Sequence, residues 1–339
     1  MAPSPALLLP GLPDDVAIRC LLRLSRLIHP LARCVCRRWR QLFSSPAFFE
    51  LREKQQISED WLYVLLRSRH ELKWFAFESQ TRAWVPLPPL PHQKIGTACV
   101  AASQKLYILG GSQGESASKC VWSFDPLSNR WEEQAPMKVS REFAAAGFVS
   151  GCIYVMGGCL PGSPSWAEVL DPFTNVWNRI SSPPDKRYKW MHGNVVLRDK
   201  IYAVADMGGI VFDPLHSSWD SISIELDKGW RGKAAVVNGI LFSCDNLGKI
   251  LGYVVEEDCW FELQGWETEL PRISSCAMLT NVGGKLYVLW ELSQHGWDRK
   301  FMLASLKISR EPRVLTAKVL WYHMSVLSGA AIHTLSLAM

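Results

Sequence analysis

From Asp14 to Leu51 the apolar residues recur at three- and four-residue steps: Val16, Leu21, Leu22, Leu24, Leu27, Leu31, Val35, Trp39, Leu42 and Phe43. That spacing predicts short helices, each with one buried stripe. Asp14 and Asp15 stand where carboxylates favour a helix start, and Pro30 suits the first turn of a second or third helix. The polar run EKQQISED, residues 53–60, ends the pattern. Beyond Trp61 the chain changes to short alternating apolar runs punctuated by Gly, Pro, Asn and Asp, the signature of consecutive β-strands. The predicted organisation is a tail (1–11), a helical head (12–52), a junction (53–60) and a β body (61–339).

The strand pattern repeats. WLYVLL, KLYILGG, CIYVMGG, KIYAVAD, ILFSCDN and KLYVLWE align on Tyr63, Tyr107, Tyr154, Tyr202, Phe242 and Tyr287, at steps of 44, 47, 48, 40 and 45 residues. A tryptophan follows in the first five units: Trp84, Trp131, Trp177, Trp219 and Trp260. In FDPLSNRW, LDPFTNVW and FDPLHSSW an aspartate stands six residues before it. A period near 45 with four short strands per unit predicts a β-propeller. Gly110-Gly111 and Gly157-Gly158 suit a sharp exit from an inner strand, Asp-Pro suits a turn, and the tryptophans supply apolar surface between neighbouring units.

Strands that precede each aromatic are also legible: IGTACVA, EFAAAGFV, MHGNVVL, KAAVVNG and SSCAMLT. The first unit has none, and the last residues, SGAAIHTLSLAM, look like the missing strand. A ring closed in this way has no open edge. The expectation is therefore a mainly β protein: a six-bladed propeller closed by its C-terminal strand, preceded by the small helical head. The sixth unit lacks a tryptophan near position 310 and carries a longer insertion, with Trp321 as the candidate substitute.

Composition narrows the function classes. The chain is 48% apolar and 20% charged, ordinary for a folded protein apart from its sixteen tryptophans. A net charge of +5 without a long basic run disfavours generic nucleic-acid binding. The start has no positive n-region, and no stretch of about 18 apolar residues predicts a membrane span. Ten cysteines without CxxC pairs read as reduced thiols of a cytoplasmic or nuclear protein.

RCVCRRWRQL, residues 33–42, has three readings: half of a metal site, a basic nucleic-acid helix or a partner-docking helix. On a continuous helix Cys34 and Cys36 stand about 200° apart and cannot share a metal. Leu31, Val35, Trp39 and Leu42 form an apolar stripe, Arg33, Arg37 and Arg40 gather opposite, and Arg38 lies at the stripe's edge. The docking reading fits best.

The KLYILGG and CIYVMGG strands with their later Asp-Pro...Trp resemble the kelch repeat, fully in units two and three. The head, with its Leu-Pro opening, spaced leucines and Val-Cys-x-x-Trp-x-x-Leu, resembles an F-box. Together they resemble the plant F-box/kelch-repeat family. The resemblance implies a non-catalytic substrate receptor of an SCF-type cullin-RING ubiquitin ligase, working without a cofactor. Its F-box would bind a Skp-type adaptor, and through it the cullin, by Leu12, Pro13, Val16, Leu21, Leu24, Leu31, Val35, Cys36, Trp39 and Leu42. Its propeller would bind the protein to be ubiquitinated. The segment SRLIHP departs from the common pattern, with His29-Pro30 where an acidic residue usually precedes the leucine. A second reading is a kelch interaction scaffold that does not promote turnover.

Basic residues recur where the inner strands begin: Lys94, Arg141, Arg187, Arg231 and Arg272. In a propeller these fall at one rim of the central channel, facing either an acidic or phosphorylated segment or the backbone of a neighbouring unit. Tyr188, Trp190 and Trp230 are candidate anchors beside them. For chemistry there is little: the eight histidines show neither HxxxH nor HExxH, and GxGxxG and GxxxxGK[ST] do not occur. Copper-radical oxidases also use kelch-like propellers, but the required Tyr, Cys and His constellation is not revealed by spacing here.

Overall fold

The computed structural model describes residues 7–69, 71–114, 116–183, 191–205, 208–230, 232–274, 277–293 and 298–338. Four helices form the head: α1 (Asp14–Leu22), α2 (His29–Val35), α3 (Arg37–Leu42) and α4 (Pro46–Lys54), with a 3-10 turn at Arg26–Ile28. Leu21, Leu22, Ala32, Phe43, Phe48 and Phe49 make its core. The expected continuous helix through RCVCRRWRQL does not form. Cys36 is fully extended (φ −159°, ψ 171°), and its Sγ accepts the Trp39 amide at 3.4 Å as the cap of α3. The break turns α3 away from α2, so the stripe drawn on a single helix divides between two.

The body is a ring of antiparallel sheets. Four have a four-stranded path. The first runs Ala330–Ala338, Asp60–Arg67, Leu72–Glu78, Ala83–Pro86. The second runs Ile95–Ala102, Lys105–Gln113, Val121–Asp125, Arg130–Gln134, and a third follows from Ala145–Val149 to Val176–Arg179. The fourth spans Gly193–Leu197 to Ser218–Ser221. The remaining strands form one eight-stranded sheet instead of two separate ones. Its halves meet through a parallel pair, Leu263 with Leu315 and Gln264 with Thr316. The cause is length: the hairpin of Asp298–Glu311 and Val314–Ser328 has arms of 14 and 15 residues, and its tip reaches the outer strand Cys259–Gln264.

Closure follows the expected route, because the C-terminal strand pairs with Asp60–Arg67 from Asp60↔Ala338 to Arg67↔Ala330. The six strands that line the axis contact one another in cyclic order, beginning with Ala330–Ala338 and Ile95–Ala102 and returning from Met278–Val282.

One device recurs at the outer turns. Asp125 accepts the Leu127 amide, Asp171 that of Phe173 and Asp213 that of Leu215, at 2.7–3.0 Å. The residue two before each outer tryptophan is left-handed: Arg82, Asn129, Asn175, Ser217 and Asp258 have φ between 47° and 57°. This conformation lets the hairpin match the strand twist. The tryptophan then bridges backward. Trp131 donates its indole N–H to Pro88 O, Trp177 to Ala135 O, Trp219 to Ser181 O and Trp260 to Glu225 O, at 2.8–3.1 Å. Trp84 does the same at the seam, to Ser325 Oγ at 2.7 Å. Trp321, the expected substitute in the last unit, lies on its outer strand and packs on Tyr287 and on Phe77 of the first sheet.

These bonds are interface bonds between units, so each should register in global stability. Trp177→Phe keeps the ring contact but strands the Ala135 carbonyl. It should lower stability by about 1–2 kcal/mol, read as a shift in the urea midpoint at unchanged slope. The paired glycines are as demanding: a Cβ on Gly110 would stand 2.4 Å from Arg141 O, and one on Gly158 would stand 2.4 Å from Glu142 O.

Candidate functional site

Two surfaces carry the candidate residues. On the head, Leu31 is 70% and Val35 62% exposed, four residues apart and so on one side of α2. Val16 on α1 is 37% exposed, and Pro13 and Cys36 are exposed as well. Leu12, Leu24, Trp39 and Leu42 are half-buried. Leu21 is a correction to the expected contact set: at 3% exposure its side chain belongs to the head's core. Ile28 and Leu7, which the sequence reading did not select, are exposed apolar residues of the same head.

Ion pairs and hydrogen bonds hold this surface in place. Asp14 accepts Arg38 at 2.6 Å and the Leu8 amide at 2.9 Å, and the Arg38 bond holds its carboxyl below the usual aspartate range. Arg38, expected at the edge of a contact, is thereby tied to the start of α1. The Trp39 indole N–H donates to Leu8 O at 2.8 Å, which pins the tail onto α3. His29, the departure from the common motif, is buried among Phe43, Phe48 and Phe49 at ring distances of 4.8–5.9 Å. Burial pushes its pKa down to about 3, so the ring is neutral and its Nε2 donates to Leu24 O.

The second surface is the mouth of the axial channel. Starts of inner strands surround a cavity of about 360 Å³ lined by Arg67, Thr97, Asn194, Lys233 and His333 among others. A further 330 Å³ lies deeper along the same strands. Asn194 and Asn281 seal the wall by donating to Ala146 O and Val236 O of the preceding inner strand, at 2.6 and 2.8 Å. Lys233 is enclosed by the channel wall yet reachable by solvent from the mouth. Desolvation lowers its pKa. Burial first and the Lys233 charge second hold His333 well below the usual histidine value, with Nε2 donating to Thr97 O at 3.0 Å. Cys99 beside them is pushed up to about 11 by burial.

Of the expected rim cations, only part is found facing open space. Arg272 is exposed, and Lys94 is half-buried with Nζ on Ser118 Oγ at 2.7 Å. Arg141 is a correction. It is 1% exposed, and its guanidinium is spent on Gly157 O, Trp166 O, Ser165 O and Glu168. Trp230 is another: it is 3% exposed and packs in a core with Val195, Leu226 and Leu241. Arg187, Tyr188, Trp190 and Arg231 lie outside the described residues. Lys233 and His333 were missed although both lie in stretches read as inner strands, KAAVVNG and SGAAIHTLSLAM; the basic residue standing ahead of each strand drew the attention instead. Among the described residues no group of three or more His, Cys, Asp or Glu could hold a metal.

Comparison with known proteins agrees with this geometry. Residues 9–51 match the F-box domain model, and residues 62–326 match the model described as FKB95, Kelch-repeats domain. The F-box/kelch-repeat protein At1g22040 of Arabidopsis thaliana is 28% identical over 85% of this chain and 78% of that protein. At4g39550, from the same plant and of the same description, is 28% identical over 92% and 89%. The putative F-box/kelch-repeat protein At1g60570, again from Arabidopsis thaliana, is 30% identical over 84% and 79%. With a helical head matched by one model and the ring of sheets by the other, the chain belongs to the F-box/kelch-repeat family.

Proposed function

We propose that this chain is a substrate-recognition adaptor of an SCF-type cullin-RING ubiquitin ligase, acting in the cytoplasm or nucleus. The head binds a Skp-type adaptor and through it the cullin. The propeller, counted as six blades with the eight-stranded sheet taken as two, holds the target protein. The chain itself makes and breaks no bonds. It works by proximity, converting a bimolecular encounter between target and ubiquitin-loaded enzyme into one at high effective concentration.

The observation that carries this reading is the pair Leu31 and Val35 on α2, the two most exposed large apolar side chains among the head's described residues. A surface of this kind suits partner docking. On the target side, the channel mouth offers Lys233 and Arg67 to an acidic segment. Its specificity rests on loops and channel residues, not on the repeat.

The reading is tested by capture of a purified Skp-type adaptor on the full chain. Leu31→Asp combined with Val35→Asp should weaken capture by about a hundredfold or more, since about 1.5–3 kcal/mol is lost per apolar side chain no longer buried. Both positions are exposed, so folding should be unaffected. Absence of capture by the wild-type chain, or equal capture by the variant, would sink the reading.

A further inference from the structure

Where the head meets the first two sheets there is a cavity of about 150 Å³. Its walls are largely apolar, with Phe49 from the head and Trp61, Phe124 and Leu127 from the body. Three polar side chains of the head also line it, Arg26, His29 and Arg33, with Asn129 from the body; Arg33 Nε already donates to Ser44 Oγ at 3.1 Å. Arg26 is 8% exposed, and its Nη1 has no hydrogen-bond partner among the described residues. The guanidinium rests 5.4 Å from the centre of the Phe49 ring, a contact that leaves its N–H edge open. His29 uses Nε2 on Leu24 O, and its Nδ1 has no partner among the described residues.

This combination is costly unless something completes it. A buried cation without hydrogen bonds is normally removed, paired or neutralised. Here burial brings the Arg26 pKa down only to about 10, so it stays charged at neutral pH. The two carboxylates whose charges act on it, Asp125 and Glu59, have other partners: Asp125 takes the Leu127 amide at 2.7 Å and the Ser128 hydroxyl at 3.1 Å, while Glu59 Oε1 takes the Arg26 amide at 3.1 Å and Arg52 at 3.0 Å, and its Oε2 takes the Trp61 indole at 3.1 Å. An apolar chamber with one open guanidinium edge has the chemistry of an apolar-acid site. A cavity of this size holds about one six-membered ring.

We propose that the head–propeller cavity is a binding site for a small carboxylic acid with an aromatic or branched apolar body, its carboxylate on Arg26. The ligand bridges the two parts of the chain, since its body lies on Trp61 and Phe124 of the propeller while its charge is held by the head. Occupancy therefore stiffens the joint and fixes the head's orientation over the first two sheets. This site is independent of the adaptor-docking face and stands or falls separately from it.

The test uses the full chain and three acids, phenylacetate, benzoate and isovalerate, each beside its uncharged amide. Saturation-transfer NMR and thermal unfolding read binding. At least one acid should bind at millimolar concentration or below and raise the unfolding midpoint, while its amide binds about tenfold or more weakly, as loss of a charged hydrogen bond requires. Arg26→Met should remove the preference for the acid. Leu27→Trp fills the same cavity without touching the charge and should block binding, which keeps the test decisive if Arg26→Met does not fold. The proposal is overturned if none of the three acids binds the wild-type chain. It is equally overturned if acid and amide bind alike, or if Leu27→Trp binds as well as wild type.

Discussion

Arg141→Ala should cost the propeller about 3–5 kcal/mol, the range for breaking a buried ion pair by removing one partner. The side chain is 1% exposed and its partner Glu168 is 0% exposed. Nη1 donates to Gly157 O and Trp166 O, each at 2.7 Å, and Nη2 to Ser165 O and Glu168 Oε1, each at 2.9 Å. The backbone of the same residue stitches the second sheet, its N–H on Ser118 O and its carbonyl under the Gly111 amide, at 2.9 and 2.8 Å. One residue thus rivets two neighbouring sheets. Alanine leaves the rivet's backbone half but abandons three carbonyls and a carboxylate in the dry interior.

Part of the Glu168 charge remains answered, because its oxygens also accept the Lys138 and Val139 amides at 2.6 and 3.1 Å. For that reason Glu168→Gln, which keeps one acceptor, should cost less than Arg141→Ala. Urea unfolding followed by tryptophan emission measures both. A loss below about 1 kcal/mol for Arg141→Ala would mean that water enters the site and that the burial argument is wrong.

The second large effect is expected in the head. Arg52 is 1% exposed and its Nη1 donates to Leu22 O at 2.5 Å and Leu24 O at 2.8 Å, satisfying the open C-terminal end of α1. Nη2 reaches Ile57 O at 3.2 Å and Glu59 at 3.0 Å, which ties α4 to the entry of the first strand. Arg52→Ala should remove about 3 kcal/mol or more from a unit with few other bonds to spend. The loss should be local. Head amides should exchange with deuterium much faster and adaptor capture should fall, while the thermal transition of the propeller stays in place. Arg52→Lys should not rescue, because an ammonium lacks the planar fork that serves four acceptors. Equal loosening of head and propeller in Arg52→Ala would show that the two unfold as one unit.

The sequence reading failed in an instructive place. Lys94, Arg141, Arg187, Arg231 and Arg272 look alike along the chain, since all stand where an inner strand begins. In space the described members differ completely: Arg272 is exposed, Lys94 is half-buried and Arg141 is sealed by its own sheet. The difference comes from acceptors that other parts of the third unit bring together, carbonyls of Gly157, Ser165 and Trp166 and the carboxylate of Glu168, none within fifteen residues of Arg141. Periodicity marks a position but says nothing of such partners. The same holds for Cys36, where one extended residue splits the helix that a 100° wheel had drawn through it.

Along the chain, the change from three- and four-residue spacing to alternation settled that a helical head precedes a ring of sheets. The tryptophan and aspartate register settled where each outer turn falls, and the strandless first unit pointed to the C-terminal strand as its completion. These properties are local or periodic, and backbone geometry makes them so: side-chain direction repeats every 3.6 residues in a helix and every two in a strand. Tertiary structure alone decided which cations stay free, how far the long hairpin of the last unit merges two sheets, and that Arg26 ends in an apolar chamber. Those outcomes depend on desolvation and on hydrogen-bond partners far away in the chain, which no spacing rule encodes.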